Sequence, residues 1–120
     1  MRGARWLVDS LRAKQPFNKG LGQHYLVNDE VIASPVSKAK LTVDDHVLEI
    51  GPGPGVLTEV LLDYGCKVTA IEIDEGAVKH LNEAFLPEIE SGKLEIVCGD
   101  ALASKWPENI TKVIANIPYQ

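Results

Sequence analysis

From His46 onward, short near-continuous apolar runs alternate with amphipathic stretches. The runs His46–Ile50, Lys67–Ile73, Leu94–Cys98 and Lys112–Asn116 read as strands. Between the first two, Val56, Leu57, Val60, Leu61 and Tyr64 recur at helical spacing, and Gly65 closes that helix. Between the second and third, Ala77, Val78, Leu81, Ala84 and Phe85 form another apolar face, which Pro87 is expected to stop. Strands apolar on both faces and separated by such helices predict an α/β chain with a Rossmann-like parallel sheet covered on both sides, in the order 3-2-1-4. That order leaves strand four as a bare edge. The sheet is therefore expected to be truncated after the fourth strand, with the chain the N-terminal part of a longer polypeptide, or to have a partner along that edge.

The segment before the first strand is less regular. Ala4, Leu7, Val8 and Leu11 form an apolar stripe that predicts a short helix. Gln15 to Gly22 is loop-like. Asn28 or Asp29 is placed to cap a helix through Val31, Ile32 and Val36, kinked by Pro35. Leu41 to Asp45 turns into the first strand. There is no internal repeat.

Composition narrows the class. The 120 residues suffice for one domain, and 45% apolar with 24% charged side chains is ordinary for a soluble globular chain. No apolar run reaches the roughly 20 residues that span a bilayer, and the basic N-terminus lacks the apolar core of a signal peptide. Cys66 and Cys98 lack metal-ligand spacing and read as two buried, reduced thiols of a cytoplasmic protein. Net charge is −5, yet residues 1–24 carry Arg2, Arg5, Arg12, Lys14 and Lys19 against Asp9 alone. A basic arm, residues 1–16, on an acidic body suits contact with phosphates; a solvated terminus with chance charges is the competing reading.

Candidate chemistry gathers where strands end. Gly51, Gly53 and Gly55 stand at alternate positions in Glu49-Ile50-Gly51-Pro52-Gly53-Pro54-Gly55, between a strand and a helix. Glycines there let the backbone turn tightly and a ligand approach closely, and the helix start offers free N–H groups. The dinucleotide fingerprint requires Gly or Ala at position 56, and Val56 stands there, which argues against NAD or FAD. Glu72 ends strand two, 21 positions after Gly51, where a carboxylate can accept hydrogen bonds from ribose hydroxyls. Asp74 reads as a surface acid. Asp100, just past strand three, faces the same crevice and can accept from an exocyclic amine or simply cap a helix. Asn116-Ile117-Pro118-Tyr119 follows strand four. A nucleobase amine is a poor nucleophile because its lone pair is delocalised into the ring. The Asn116 side-chain oxygen and the Ile117 carbonyl can accept both its N–H bonds, Pro118 stiffens the loop, and Tyr119 offers a flat face to a base removed from its stack.

With these residues in place, the chain resembles class I S-adenosylmethionine-dependent methyltransferases, and among them the small-subunit rRNA adenine N6,N6-dimethyltransferases. The resemblance runs from Phe17 to Gln120, through Gly20-Leu21-Gly22-Gln23-His24-Tyr25-Leu26, Glu49-Ile50-Gly51-Pro52-Gly53, Glu72-Ile73-Asp74, Gly99-Asp100-Ala101 and Asn116-Ile117-Pro118-Tyr119. It implies a methyltransferase domain over residues 17–120 with S-adenosyl-L-methionine as cofactor and no metal. His24 and Leu26 then lie at the methionine end of the cofactor, Gly51 and Gly53 in the turn beneath it, Glu72 at the ribose and Asp100 at the adenine. Asn116 stands where cofactor and target adenine meet. Many family members have Asn in place of His24.

The implied reaction is in-line transfer of methyl groups to two adjacent adenosines near the 3′ end of small-subunit rRNA. The partner would be a pre-30S or pre-40S particle, in the cytoplasm and away from membranes. The resemblance also implies a further sheet portion and a helical RNA-binding domain, which are expected to lie outside these 120 residues. The 120 residues are thus expected to bind cofactor weakly or not at all and not to methylate RNA unaided. Two rivals remain: the 23S rRNA adenine methyltransferases of macrolide resistance, which share Asn-Ile-Pro-Tyr, and a non-catalytic rRNA-binding assembly factor. The Pro16-to-Gly20 stretch and the Tyr119-Gln120 ending lean towards an archaeal or eukaryotic source.

Overall fold

The structure is a computed structural model that describes residues 2–14 and 40–115. Helix α1 (Ala4–Lys14) precedes β1 (His46–Ile50), α2 (Val56–Asp63), β2 (Lys67–Glu72), α3 (Glu75–Ala84), α4 (Leu86–Glu90), β3 (Leu94–Cys98) and β4 (Lys112–Ala115). The four strands are parallel in the order β3-β2-β1-β4, as the hydrophobic pattern predicts. The expected helix through Val31 to Val36 and the loop at 15–22 lie outside the described residues.

Strand register explains which residues meet. Directly paired residues of a parallel sheet share a face, so Val47, Val68 and Leu94 form one rung. Glu49, Ala70, Ile96 and Ile114 form the next. Leu7 and Val8 of α1, Val56, Leu57 and Leu61 of α2, and Leu81 and Phe85 at the end of α3 cover that face and form one core with it. The apolar stripe of residues 4–11 is therefore spent on packing: Leu7, Val8 and Leu11 are fully buried, while Arg5, Asp9 and Arg12 face solvent.

Helix ends follow local chemistry. Gly65 takes φ +94°, its N–H donates to the Leu62 carbonyl, and the Cys66 N–H donates to that of Leu61. This paired arrangement is a Schellman motif. Asp74 caps α3 through its Oδ2, which accepts from the Ala77 N–H at 3.2 Å.

Several expectations shift. The helix α3 does end before Pro87, at Ala84, but a second short helix follows at once: Pro87 falls in the first turn of α4, where its missing N–H costs nothing. Strand β2 ends at Glu72, leaving Ile73 exposed beyond the ladder. Tyr64 lies at the exposed C-cap of α2 instead of on its buried face. Of the two thiols only Cys66 is buried; Cys98, the last residue of the edge strand β3, is exposed. Among the described residues no helix is long and apolar enough to cross a membrane, and no His, Cys, Asp or Glu cluster is arranged to hold a metal.

Candidate functional site: the carboxyl rim of the sheet

The rim begins where β1 meets α2. Gly51, Gly53 and Gly55 take φ of 70°, 56° and 96°. At Gly55 the requirement is doubly steric. A Cβ would sit 2.5 Å from Phe85 Cε2 and 3.0 Å from Leu81 Cδ2, and the backbone is left-handed. Gly55 is the N-cap of α2 and supplies no side chain to its first N–H groups, so the positive end of the helix faces the rim. From behind, His80 Nε2 bonds the Pro54 carbonyl at 2.8 Å, fully buried.

Glu72 ties the rim together. Its Oε1 accepts the Gly53 N–H at 2.8 Å and its Oε2 accepts the Asp74 N–H at 2.9 Å. The Glu72 carbonyl accepts from the Gly99 N–H at 2.9 Å, while the Gly51 N–H donates to the Ile71 carbonyl, also at 2.9 Å. Glycine turn, Glu72 and the end of β3 are thus joined by direct hydrogen bonds. Each Glu72 oxygen keeps a second lone pair for a further donor.

Asp100 follows Gly99. Its Oδ1 accepts the Leu102 N–H at 2.9 Å, and its carbonyl accepts from the Ala103 N–H, the Ser104 N–H and the Ser104 hydroxyl. It both caps this turn and stays exposed on the rim. The Trp106 indole N–H closes the loop on the Ala101 carbonyl at 2.9 Å. His24, Leu26, Asn116, Ile117, Pro118 and Tyr119 lie outside the described residues.

Hydrophobic patterning misses three features. Ile73 and Leu102, next to Glu72 and two past Asp100, are 70% and 94% exposed, apolar side chains open to solvent beside two acids. The signal was their adjacency to the acids. The third is Glu49, fully buried in the apolar rung of Ala70, Ile96 and Ile114. The Thr58 hydroxyl donates to its Oε1, and Oε2 has no partner among the described residues. Burial pushes its carboxyl up to about 7; the Thr58 bond pulls it down, and the Glu72 charge raises it further.

The parallel order, the glycine turn after β1 and the acid ending β2 define a class I methyltransferase fold, and solved structures agree. A dimethyladenosine transferase from Plasmodium falciparum superposes with a TM-score of 0.68 at 36% identity, over 80% of this chain and 34% of that one. The 23S rRNA methyltransferase ErmE superposes at 0.69 and 34% identity, over 80% and 38%. The sequence model of the ribosomal RNA adenine dimethylase family matches residues 14–120. The chain belongs to that family. A probable ribosomal RNA small subunit methyltransferase A of Methanopyrus kandleri is 40% identical over 121 residues, 99% of this chain and 42% of the relative. A ribosomal RNA small subunit methyltransferase of Arabidopsis thaliana is 41% identical over 104 residues, 87% and 29%. The chain therefore spans well under half the length of these relatives.

Proposed function

We propose that this chain forms the cofactor-holding part of an S-adenosylmethionine-dependent enzyme. That enzyme would place two methyl groups on N6 of each of two adjacent adenosines near the 3′ end of small-subunit rRNA. The observation that carries the cofactor half is Glu72 bonded to the glycine turn with lone pairs to spare. The rim suits such a ligand: backbone N–H groups at a helix start, a carboxylate for ribose hydroxyls, and Ile73 and Leu102 as walls for a flat base. Gly51 and Gly53 let the ligand lie against backbone, and Asp100 accepts from its adenine amine. By resemblance, His24 and Leu26 hold the methionine end.

When bound, the cofactor supplies a methyl group on a positively charged sulfur, already a good leaving group. The chain's own contribution is orientation and polarisation. Asn116 and the Ile117 carbonyl accept the two N–H bonds of the target amine, which turns its lone pair towards the methyl group. Pro118 holds that loop, Tyr119 stacks on the extruded base, and the amine proton leaves to solvent. The small-subunit assignment rests on the names of the sequence relatives.

The test is to replace Asn116 by Ala in the genome and map dimethyladenosines in both rRNAs by primer-extension stops. The expected result is loss of the paired stops near the 3′ end of small-subunit rRNA. Loss from large-subunit rRNA instead would support the macrolide-resistance type, and unchanged stops in both would support a non-catalytic assembly factor; either overturns the proposal.

A further inference from the structure

Behind the glycine turn, a side chain far away in sequence gathers the elements that pack there. Arg2 precedes α1, and its guanidinium carbon lies 4.4 Å from the centroid of the Phe85 ring. The edge of the same ring, Cε2 and Cζ, occupies the space a Cβ on Gly55 would need. Arg2 also reaches α2 directly. Its backbone N–H and Nη1 donate to the two oxygens of Glu59 at 3.1 and 2.6 Å. Glu59 is in the first turn of α2, and its own N–H donates to the Gly55 carbonyl at 2.9 Å. The remaining donors fasten the other side. Nε donates to the Ala84 carbonyl at the end of α3, and Nη1 and Nη2 donate to the two oxygens of Glu88 on α4, at 3.2 and 2.7 Å.

One residue thus joins the start of α2, the end of α3 and α4, with the ring behind the turn clamped beneath it. The bonds are charge-assisted and the fork is planar, so the arrangement is directional in a way apolar packing is not. Part of the basic charge of residues 1–16 is consumed here and is not offered to a partner. The buried stripe of Leu7, Val8 and Leu11 holds α1 against the core, which keeps Arg2 in place.

We propose that Arg2 is a positioning residue for the cofactor turn: seating of the N-terminal segment sets Gly55 and the first turn of α2, and through them the affinity for the cofactor. This rests on the reading of the rim as a cofactor site.

The experiment uses the 120-residue chain. Arg2→Met keeps an apolar stem over Phe85 and removes every side-chain donor; Arg2→Lys restores the charge without the fork. Leu94→Ala, at the amino end of β3, serves as a control that loosens the core away from the rim. Without ligand, amide exchange at Gly55 and Glu59 in Arg2→Met should accelerate about tenfold, as expected for lost charge-assisted bonds, with β3 amides unchanged. Unaltered exchange at these two positions would overturn the brace. With S-adenosylhomocysteine, Arg2→Met should raise Kd about tenfold and Arg2→Lys less, while Leu94→Ala stays within about twofold. Equal Kd in wild type and Arg2→Met, or an equal rise in Leu94→Ala, would overturn it as well. Because the 120 residues alone are expected to bind weakly, the titration runs to millimolar ligand; no response of the wild type there would overturn the reading of this rim as a cofactor site in the chain by itself, and the ligand-free exchange data would still decide the brace.

Discussion

The rim of the sheet and the layer behind it are built in opposite ways. At the rim, contacts are short-range or follow from strand register: the Gly53 N–H meets Glu72, Asp74 caps its own helix, and Asp100 accepts from the Leu102 N–H two residues on. Behind it, Arg2 reaches Glu59, Ala84 and Glu88, and His80 reaches Pro54. The rim presents groups that a ligand can use, whereas the back layer fixes where those groups stand. Change behind the rim should therefore register at the rim, and change at the rim should leave the back layer intact.

The largest effect expected is on Phe85. Phe85→Ala removes the wall behind Gly55 and the platform under Arg2 and should cost about 3–5 kcal/mol in denaturant unfolding. It should also move the Gly55 amide resonance, which Leu94→Ala of similar cost should not. If the two variants disturb Gly55 equally, the back layer is undifferentiated packing.

Glu49 comes next, because it sits between the two regions. Its carboxyl binds a proton more tightly in the folded chain, near 7 against 4.5 for a free glutamate. Its contribution to stability is full below about 4.5 and is lost as pH rises through about 7. The stability of wild type relative to Glu49→Gln should fall by on the order of 3 kcal/mol across that window. A difference independent of pH would show that Glu49 is ionised in the fold.

Rim changes should be smaller in stability and larger in ligand response. Glu72→Gln turns one acceptor into a donor facing a backbone N–H and should cost about 1–3 kcal/mol. Asp100→Asn, exposed and able to keep its turn through the amide oxygen, should stay within about 0.5 kcal/mol. Thermal unfolding of both variants checks the order, and a larger loss for Asp100→Asn would reverse the account of which acid holds the rim.

The same division sets what the sequence could reveal. The sheet order was legible because four apolar runs and two amphipathic helices admit few parallel arrangements. The glycine turn, Glu72 and Asp100 were legible as candidates because their spacing follows from strand ends. Ile73 extended strand two on paper because hydrophobicity continues past the ladder, for an exposed position on the rim. The stop before Pro87 was legible, but the short helix α4 was not, because a proline in a first turn and one beyond a last turn read alike in a string. Cys98 looked buried because an edge strand carries the same residues as a central one. The burial of Glu49 was hidden because a near-continuous apolar strand does not announce its faces. Arg2 was counted as part of a basic arm, since nothing local signals partners 57 to 86 residues away.

The central claim is that the glycine turn and Glu72 together hold S-adenosylmethionine. It is tested most directly by amide NMR of the ¹⁵N-labelled chain titrated to millimolar S-adenosylhomocysteine, with NAD as comparison and Glu72→Ala alongside. The account predicts saturable shifts centred on Gly51, Gly53 and Leu102 with S-adenosylhomocysteine, none with NAD, and their loss in a folded Glu72→Ala. Shifts centred elsewhere, a response to NAD alone, or undiminished binding by Glu72→Ala would contradict it.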